Sequence, residues 1–171
     1  MVCIILMQAQ LQIYMSTENL QGNKIVVTDT SCFILLEKIN AIEILHRMFP
    51  TVLTTPEIEK EYGNPLPDWV IIKPADETLK KKFHQYVDLG EASAIALASE
   101  ITCDYIILDD MEGRKLAVKL GLPIMGTVGV LLNAKRNGII PLFRPYLNLI
   151  QQTNFRLSEQ LATQFINDAG E

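Results

Sequence analysis

Soft metal ligands are scarce in this 171-residue chain. The cysteines are Cys3, Cys32 and Cys103, the histidines are His46 and His84, and no CxxC pair occurs. A zinc site built from Cys and His therefore has too few ligands. An odd number of widely spaced thiols is no disulfide framework either, and fits a reducing cytosol. Excess positive charge is also absent: 15 Lys and Arg stand against 20 Asp and Glu, a net charge of −5. Such a chain does not grip nucleic acid over its whole surface, so any contact with nucleic acid must be local. There is no GxxxxGK[ST] loop and no GxGxxG turn, and Gly126-Thr-Val-Gly129 is too short to cradle a triphosphate. A GxSxG elbow is missing, which argues against a serine hydrolase of that type. The apolar start, MVCIILMQAQLQIYM, is broken up by Gln8, Gln10 and Gln12, has no basic leader region, and is too short to span a bilayer. Residues 1–23 read as an N-terminal extension: a disordered arm, or the product of an upstream start with Met15 as the true one. The expected location is the cytoplasm, without membrane attachment.

What is present is the composition of an ordinary globular domain, 49% apolar and 20% charged. A chain of this length buries roughly 70% of its unfolded surface and needs no staple. Residues 24–171 are read as one domain. The β-branched run Lys24-Ile-Val-Val-Thr28 predicts a buried strand, as do Thr51–Thr54, Trp69–Lys73, Tyr105–Leu108 and Pro123–Met125. Helical spacing fills the intervals, with a break at Asn40, an N-cap at Thr55 ahead of Pro56, and stops at Gly63, Gly121 and Gly138. Two further helices follow, about residues 142–152 and 158–169. Strands alternating with helices imply an α/β fold, three layers with a parallel sheet of about five strands, both faces covered. In such sheets ligands bind beyond the carboxyl ends of the strands, where the strand order reverses.

That rule selects acids. Asp29 follows the first strand, and Asp109 and Asp110 follow the fourth. Glu91 opens the helix before the fourth strand, and Glu61 lies in the helix after the second. Each has an ordinary alternative: Asp29, Asp109 and Asp110 as helix caps, Glu91 as a partner of a helix dipole, Glu61 as a solvated charge. Convergence would have consequences. Two carboxylates ~4 Å apart repel by about 4 kcal/mol at an effective dielectric of 20. Several cannot all stay ionised together without a proton shift or a cation. Oxygen donors with no His or Cys nearby suit Mg²⁺ or Mn²⁺, and the implied reaction class is metal-assisted phosphodiester hydrolysis.

Five blocks, Ile25-Val-Val-Thr-Asp-Thr-Ser31, Pro56-Glu-Ile-Glu-Lys-Glu61, Gly90-Glu-Ala-Ser-Ala-Ile-Ala-Leu-Ala98, Ile107-Leu-Asp-Asp110 with Arg114, and Gly126-Thr-Val-Gly129, stand in that order. Together they resemble the PIN-like domain superfamily, in particular an uncharacterised prokaryotic branch related to VapC-type toxins. The resemblance runs from about Lys24 to the C-terminus. It implies a five-stranded parallel sheet with the first and fourth strands adjacent, and Mg²⁺- or Mn²⁺-dependent ribonuclease activity. It also implies a small antitoxin protein as inhibitor. By position, Asp29, Glu61, Glu91 and Asp109 match the family acids and would be both catalytic and metal-binding. Asp110 competes with Asp109 for the fourth place. Thr127 falls where relatives often carry a further polar or acidic residue. Thr30 and Ser31 could hold a water, orient Asp29, or only cap a helix. Arg114 could hold the scissile phosphate or pair with an acid.

The leading expectation is thus a metal-dependent endoribonuclease acting on RNA as the toxin of a toxin–antitoxin pair. A homodimer is a further candidate assembly. The alternative is a non-catalytic interaction module, docking a partner through Phe155, Leu157, Leu161, Phe165 and Ile166. Lys80-Lys81-Lys82 reads as a solvated helix face, and Lys115, Lys119, Lys135 and Arg136 as a local basic track.

Overall fold

The computed structural model describes residues 24–171; the extension expected over residues 1–23, with Cys3 and Met15, lies outside the described residues. Five short strands alternate with nine helices among the described residues: β1 (Ile25–Thr28), α1 (Thr30–Lys38), α2 (Ile42–Met48), β2 (Thr51–Thr54), α3 (Pro56–Tyr62), β3 (Val70–Ile72) and α4 (Glu77–Phe83), then α5 (Leu89–Glu100), β4 (Tyr105–Ile107), α6 (Met111–Lys119), β5 (Ile124–Met125), α7 (Thr127–Arg136), α8 (Arg144–Gln151) and α9 (Glu159–Ala169). The strands form one parallel sheet in the order β3-β2-β1-β4-β5, with β1 central and β4 beside it. This is the three-layer α/β/α arrangement expected from the alternation of elements.

Local chemistry explains the boundaries. Asn40 takes a left-handed conformation, φ 52°, and separates α1 from α2. The Thr55 hydroxyl accepts from the Ile58 N–H, Pro56 fills the first helical position, and Gly63 ends α3 at φ 73°. The core is continuous: Val26, Val27, Phe33, Leu36, Ile95, Leu97, Ile106 and Ile107 are fully buried. Helix α5 is buried from Ala92 to Ala98 on every side, which its Ala and Ser content permits. It packs against β1, β4, α3, α4 and α6 and so fixes the start of α5 beside the sheet's carboxyl edge.

Three expectations change. Strand β3 is not covered on both faces, because it forms an edge of the sheet; Ile71 and Ile72 are 50% and 39% exposed. Lys80 is not a solvated charge: it is buried, and its ammonium is held between the carboxylates of Glu57 and Glu77. Lys81 and Lys82 remain exposed. The C-terminal helices turn their apolar side largely inward, where Ala162 and Phe165 are buried and Phe165 meets Phe143 at 6.3 Å between ring centroids. Of the proposed docking residues Leu161 alone is exposed, at 38%. None of the helices of the described residues is long and apolar enough to cross a membrane.

Candidate active site

The strand order reverses at β1 and β4, the place where an open parallel sheet leaves a crevice at its carboxyl edge. Thr28 pairs with Ile107, and the Asp29 N–H donates to the Ile107 carbonyl at 3.3 Å. Neighbouring strands run about 4.8 Å apart. The chain ends that carry Asp29 and Asp109 are therefore side by side.

Asp29 is the N-cap of α1 and is 2% exposed. Its Oδ1 accepts from the Cys32 N–H at 3.1 Å, while the buried Oδ2 has no hydrogen-bond partner among the described residues. Burial holds its carboxyl well above the usual carboxylate range, and the charges of Asp109 and Glu91 add to the effect. The Cys32 N–H and the Ser31 side chain only partly offset it.

Asp109 is held from the opposite side. The Thr127 N–H donates to Oδ1 at 2.9 Å, and the Thr127 hydroxyl donates to Oδ2 at 2.6 Å. Burial raises the Asp109 carboxyl, whereas these two bonds and the Arg114 charge lower it; burial prevails. Thr127 is fully buried. Its hydroxyl is committed to orienting Asp109. Asp110, exposed at the start of α6, caps that helix by accepting from the N–H groups of Glu112 at 2.8 Å and Gly113 at 3.3 Å.

Glu91 stands at the third position of α5 and Asp88 is the N-cap. Burial pushes its carboxyl up to about 7, with the charges of Asp110, Asp88 and Glu61 adding and the Asp88 N–H opposing. The chain of Glu91 lies over Gly113, where an added Cβ would sit 3.4 Å from its carboxylate. Glu61 is exposed and receives the Thr30 hydroxyl on Oε2 at 2.9 Å. That same oxygen lies where a Cβ on Gly90 would be only 2.3 Å away. Thr30 thus orients Glu61, and Ser31 is left exposed beside Asp109. On α6, Arg114 lies close enough for its charge to act on Asp109, and its buried Nε has no partner among the described residues.

A buried pair that sequence reasoning passed over supports this arrangement. The hydroxyls of Thr55 and Ser93 meet at 2.6 Å, and Ser93 also donates to the Gly90 carbonyl at 2.7 Å. It ties the start of α3 to the start of α5, the helices that carry Glu61 and Glu91. The one available signal was a serine inside the otherwise apolar run Ala92–Ala98.

Asp29, Asp109 and Glu91 are electrostatically linked, and Glu61 and Asp110 act on Glu91. Among the described residues no group of three His, Cys, Asp or Glu is gathered as a ready ligand shell for a metal. Two of the carboxylates, Glu61 and Asp109, accept from threonine hydroxyls. The donor set nevertheless fits a hard divalent cation. The acceptor Oδ2 of Asp29 is buried and unused, carboxylate oxygens that accept one hydrogen bond keep a second lone pair, and the Cys32 thiol is driven by burial and by Asp109 far from its thiolate form.

Gly90→Ala isolates one acid. The helix tolerates alanine, but the new methyl group occupies the place of Glu61 Oε2 and must displace that side chain from Thr30. The melting temperature is expected to hold or rise while divalent-ion affinity falls. Calorimetric titration with Mn²⁺ checks this, and an unchanged affinity removes Glu61 from the site.

A family model, DUF3368, described as a PIN domain, matches residues 25–171. No curated protein and no solved structure matches the chain.

Proposed function

The chain belongs to the PIN-domain family, whose members are generally nucleases, and on that premise we propose that it is a Mg²⁺- or Mn²⁺-dependent endoribonuclease, the toxin of a toxin–antitoxin pair. The observation that carries the reading is the buried, unpartnered Oδ2 of Asp29 beside Asp109 at the carboxyl ends of adjacent strands. Asp29, Asp109, Glu91 and Glu61 would hold the ion. When bound, it supplies positive charge to a phosphodiester oxygen and acidity to a water.

The chain's own groups have separate tasks. Thr127 fixes Asp109 with two donors, so its carboxylate does not swing away. Glu91, which burial raises to about 7 in the metal-free protein, would give up its proton to serve as a ligand. The Arg114 guanidinium, whose charge reaches Asp109, would donate to a non-bridging phosphate oxygen. Ser31, exposed beside Asp109, would donate to the same group or to a water. The water oxygen bonds to phosphorus as its proton passes to solvent, the ester P–O bond breaks, and the departing oxygen takes a proton from a solvent water; no covalent enzyme intermediate forms. A small basic antitoxin segment would suit the acidic chain, and a cytoplasmic setting suits its free thiols.

The test is cleavage of a mixed RNA pool with Mn²⁺. The wild type is expected to cleave, a chelator to stop it, and Asp109→Asn to slow it by roughly 10²-fold or more, as loss of several kcal/mol of charge stabilisation implies. Equal cleavage by wild type and variant rejects the assigned site.

A further inference from the structure

A groove of about 370 Å³ lies between the end of α4 and one side of α6. None of the five candidate acids lines it, and neither does Arg114. On α6, Lys115 and Lys119 line it, and so do Leu116 and Leu120 at the helix end. Each pair is four residues apart, so one row of lysines runs beside one row of leucines. Lys82 and Phe83 of α4, with Tyr86 just beyond, form the other wall. Both helices pack on α5, which fixes their spacing.

The turn that carries Tyr86 is tied down. The Tyr86 N–H donates to the Phe83 carbonyl at 2.9 Å, and the His84 Nδ1 meets the Val87 carbonyl at 3.1 Å. Tyr86 is nonetheless 65% exposed, the highest value among the large apolar side chains of the described residues. Leu120 is exposed as well. Apolar groups held in water inside a charged rim mark a surface that another molecule covers.

Charge and shape name the occupant. Three lysines against the single Glu112 leave the groove at +2, in a chain of net charge −5. Lys82 and Lys119 form no ion pair among the described residues. Lys115 holds Glu112 at 2.7 Å, an exposed pair that costs little to break. A basic segment, which the acids would attract, is repelled here. A second copy related by a two-fold axis would set these lysines against themselves. A nucleic acid would satisfy the lysines and leave the leucines without an apolar partner. A helix with acids at i and i+4, beside apolar residues at the same spacing, satisfies both rows at once.

We propose that this groove docks an acidic amphipathic helix of a partner protein. Its apolar side chains would cover Tyr86, Leu116 and Leu120, and its carboxylates would meet Lys82, Lys115 and Lys119. The proposal does not depend on the nuclease reading.

The probe is a labelled peptide of about 18 residues, long enough to hold a helix, with Glu and Leu in two adjoining i,i+4 rows. One control scrambles its sequence, and a second has Lys in place of each Glu. Fluorescence anisotropy with the full chain, at low salt and with a chelator present, reads the affinities. The acidic peptide is expected to bind with a dissociation constant below ~1 mM, and both controls at least ~10-fold more weakly. The paired change Lys82→Glu and Lys119→Glu should weaken binding by ~10-fold or more, and Tyr86→Ala by ~5-fold or more. Lys82→Arg with Lys119→Arg should keep most of the affinity, which separates recognition from misfolding. No saturation by ~1 mM, or equal binding of the scrambled peptide, overturns the proposal. A mixed-sequence single-stranded RNA that binds more tightly than the peptide, and is weakened by the same charge reversals, assigns the groove to nucleic acid and overturns it too. So does a dimer in sedimentation that Tyr86→Ala dissociates, because a second copy then fills the groove. RNA cleavage enters none of these readouts.

Discussion

Asp29→Asn is expected to lower RNA cleavage by roughly 10²-fold or more, the scale set by losing several kcal/mol of charge stabilisation, and at the same time to raise the melting temperature of the metal-free protein. The two effects have one cause. Asp29 is buried against Asp109 with one oxygen unpaired, so its charge is a burden on the fold. Asparagine keeps the shape and keeps an oxygen to accept from the Cys32 N–H, so the cap of α1 survives. What disappears is the negative charge. Because the folded-state carboxyl is raised, the burden is absent below its unfolded pKa and grows as pH rises toward the folded value. The gain in melting temperature should therefore be small in acid and large in mild alkali, and each ~1 kcal/mol relieved is worth roughly 2–4 °C for a domain of this size. Thermal scans at several pH values with a chelator check it. A variant that is both inactive and less stable at every pH would mean that Asp29 serves the fold alone.

The second large effect is ionic. Mn²⁺ at about 100 times its dissociation constant stabilises by about 2.7 kcal/mol, or roughly 5–10 °C. That shift is expected at about pH 8 and should largely vanish near pH 5.5, in keeping with the competition of protons for carboxylate ligands. The sign follows from Glu91. Its carboxyl is raised to about 7 from an ordinary 4.5, so the metal-free fold loses stability as pH climbs through that window. Bound cation should cancel the loss and flatten the profile. Cleavage should fall as pH drops and protons displace the cation from its carboxylates. Differential scanning fluorimetry across pH, with and without Mn²⁺, reads both trends; an equal shift at both pH values, or one kept by Asp29→Asn, would separate ion binding from these acids.

Much of this was legible in the residues because it is local. A β-branched run closing on Asp-Thr-Ser places Asp29 at a strand end, and the run before Asp109 does the same for it. The Thr55 cap, the left-handed Asn40 and the glycine stop of α3 are properties of a few neighbouring residues. What could not be read depends on distant segments meeting. Thr127 is 18 residues from the carboxylate it clamps, and Lys38 is 116 residues from Asn154. The burial of Lys80 follows from Glu57 lying on another helix. Glu61 and Gly90 share one space because their helices pack together, joined by Ser93 at Thr55. The doubled Asp109-Asp110 was ambiguous for the same reason: the sequence fits either acid, and the Thr127 donors distinguish them in space.

The outermost strand, β3, has a bearing on handling the protein in solution. Its two exposed isoleucines border an edge with no strand beyond it among the described residues, the kind of rim onto which a stray chain can zip. Yet the strand lasts only from Val70 to Ile72, and Pro67 and Pro74 stand close outside it, with Lys73 adding charge. Prolines cannot extend such a ladder. This short, bracketed rim acts as a guard against fibrillar self-association, and Pro74→Val would be the change to remove it.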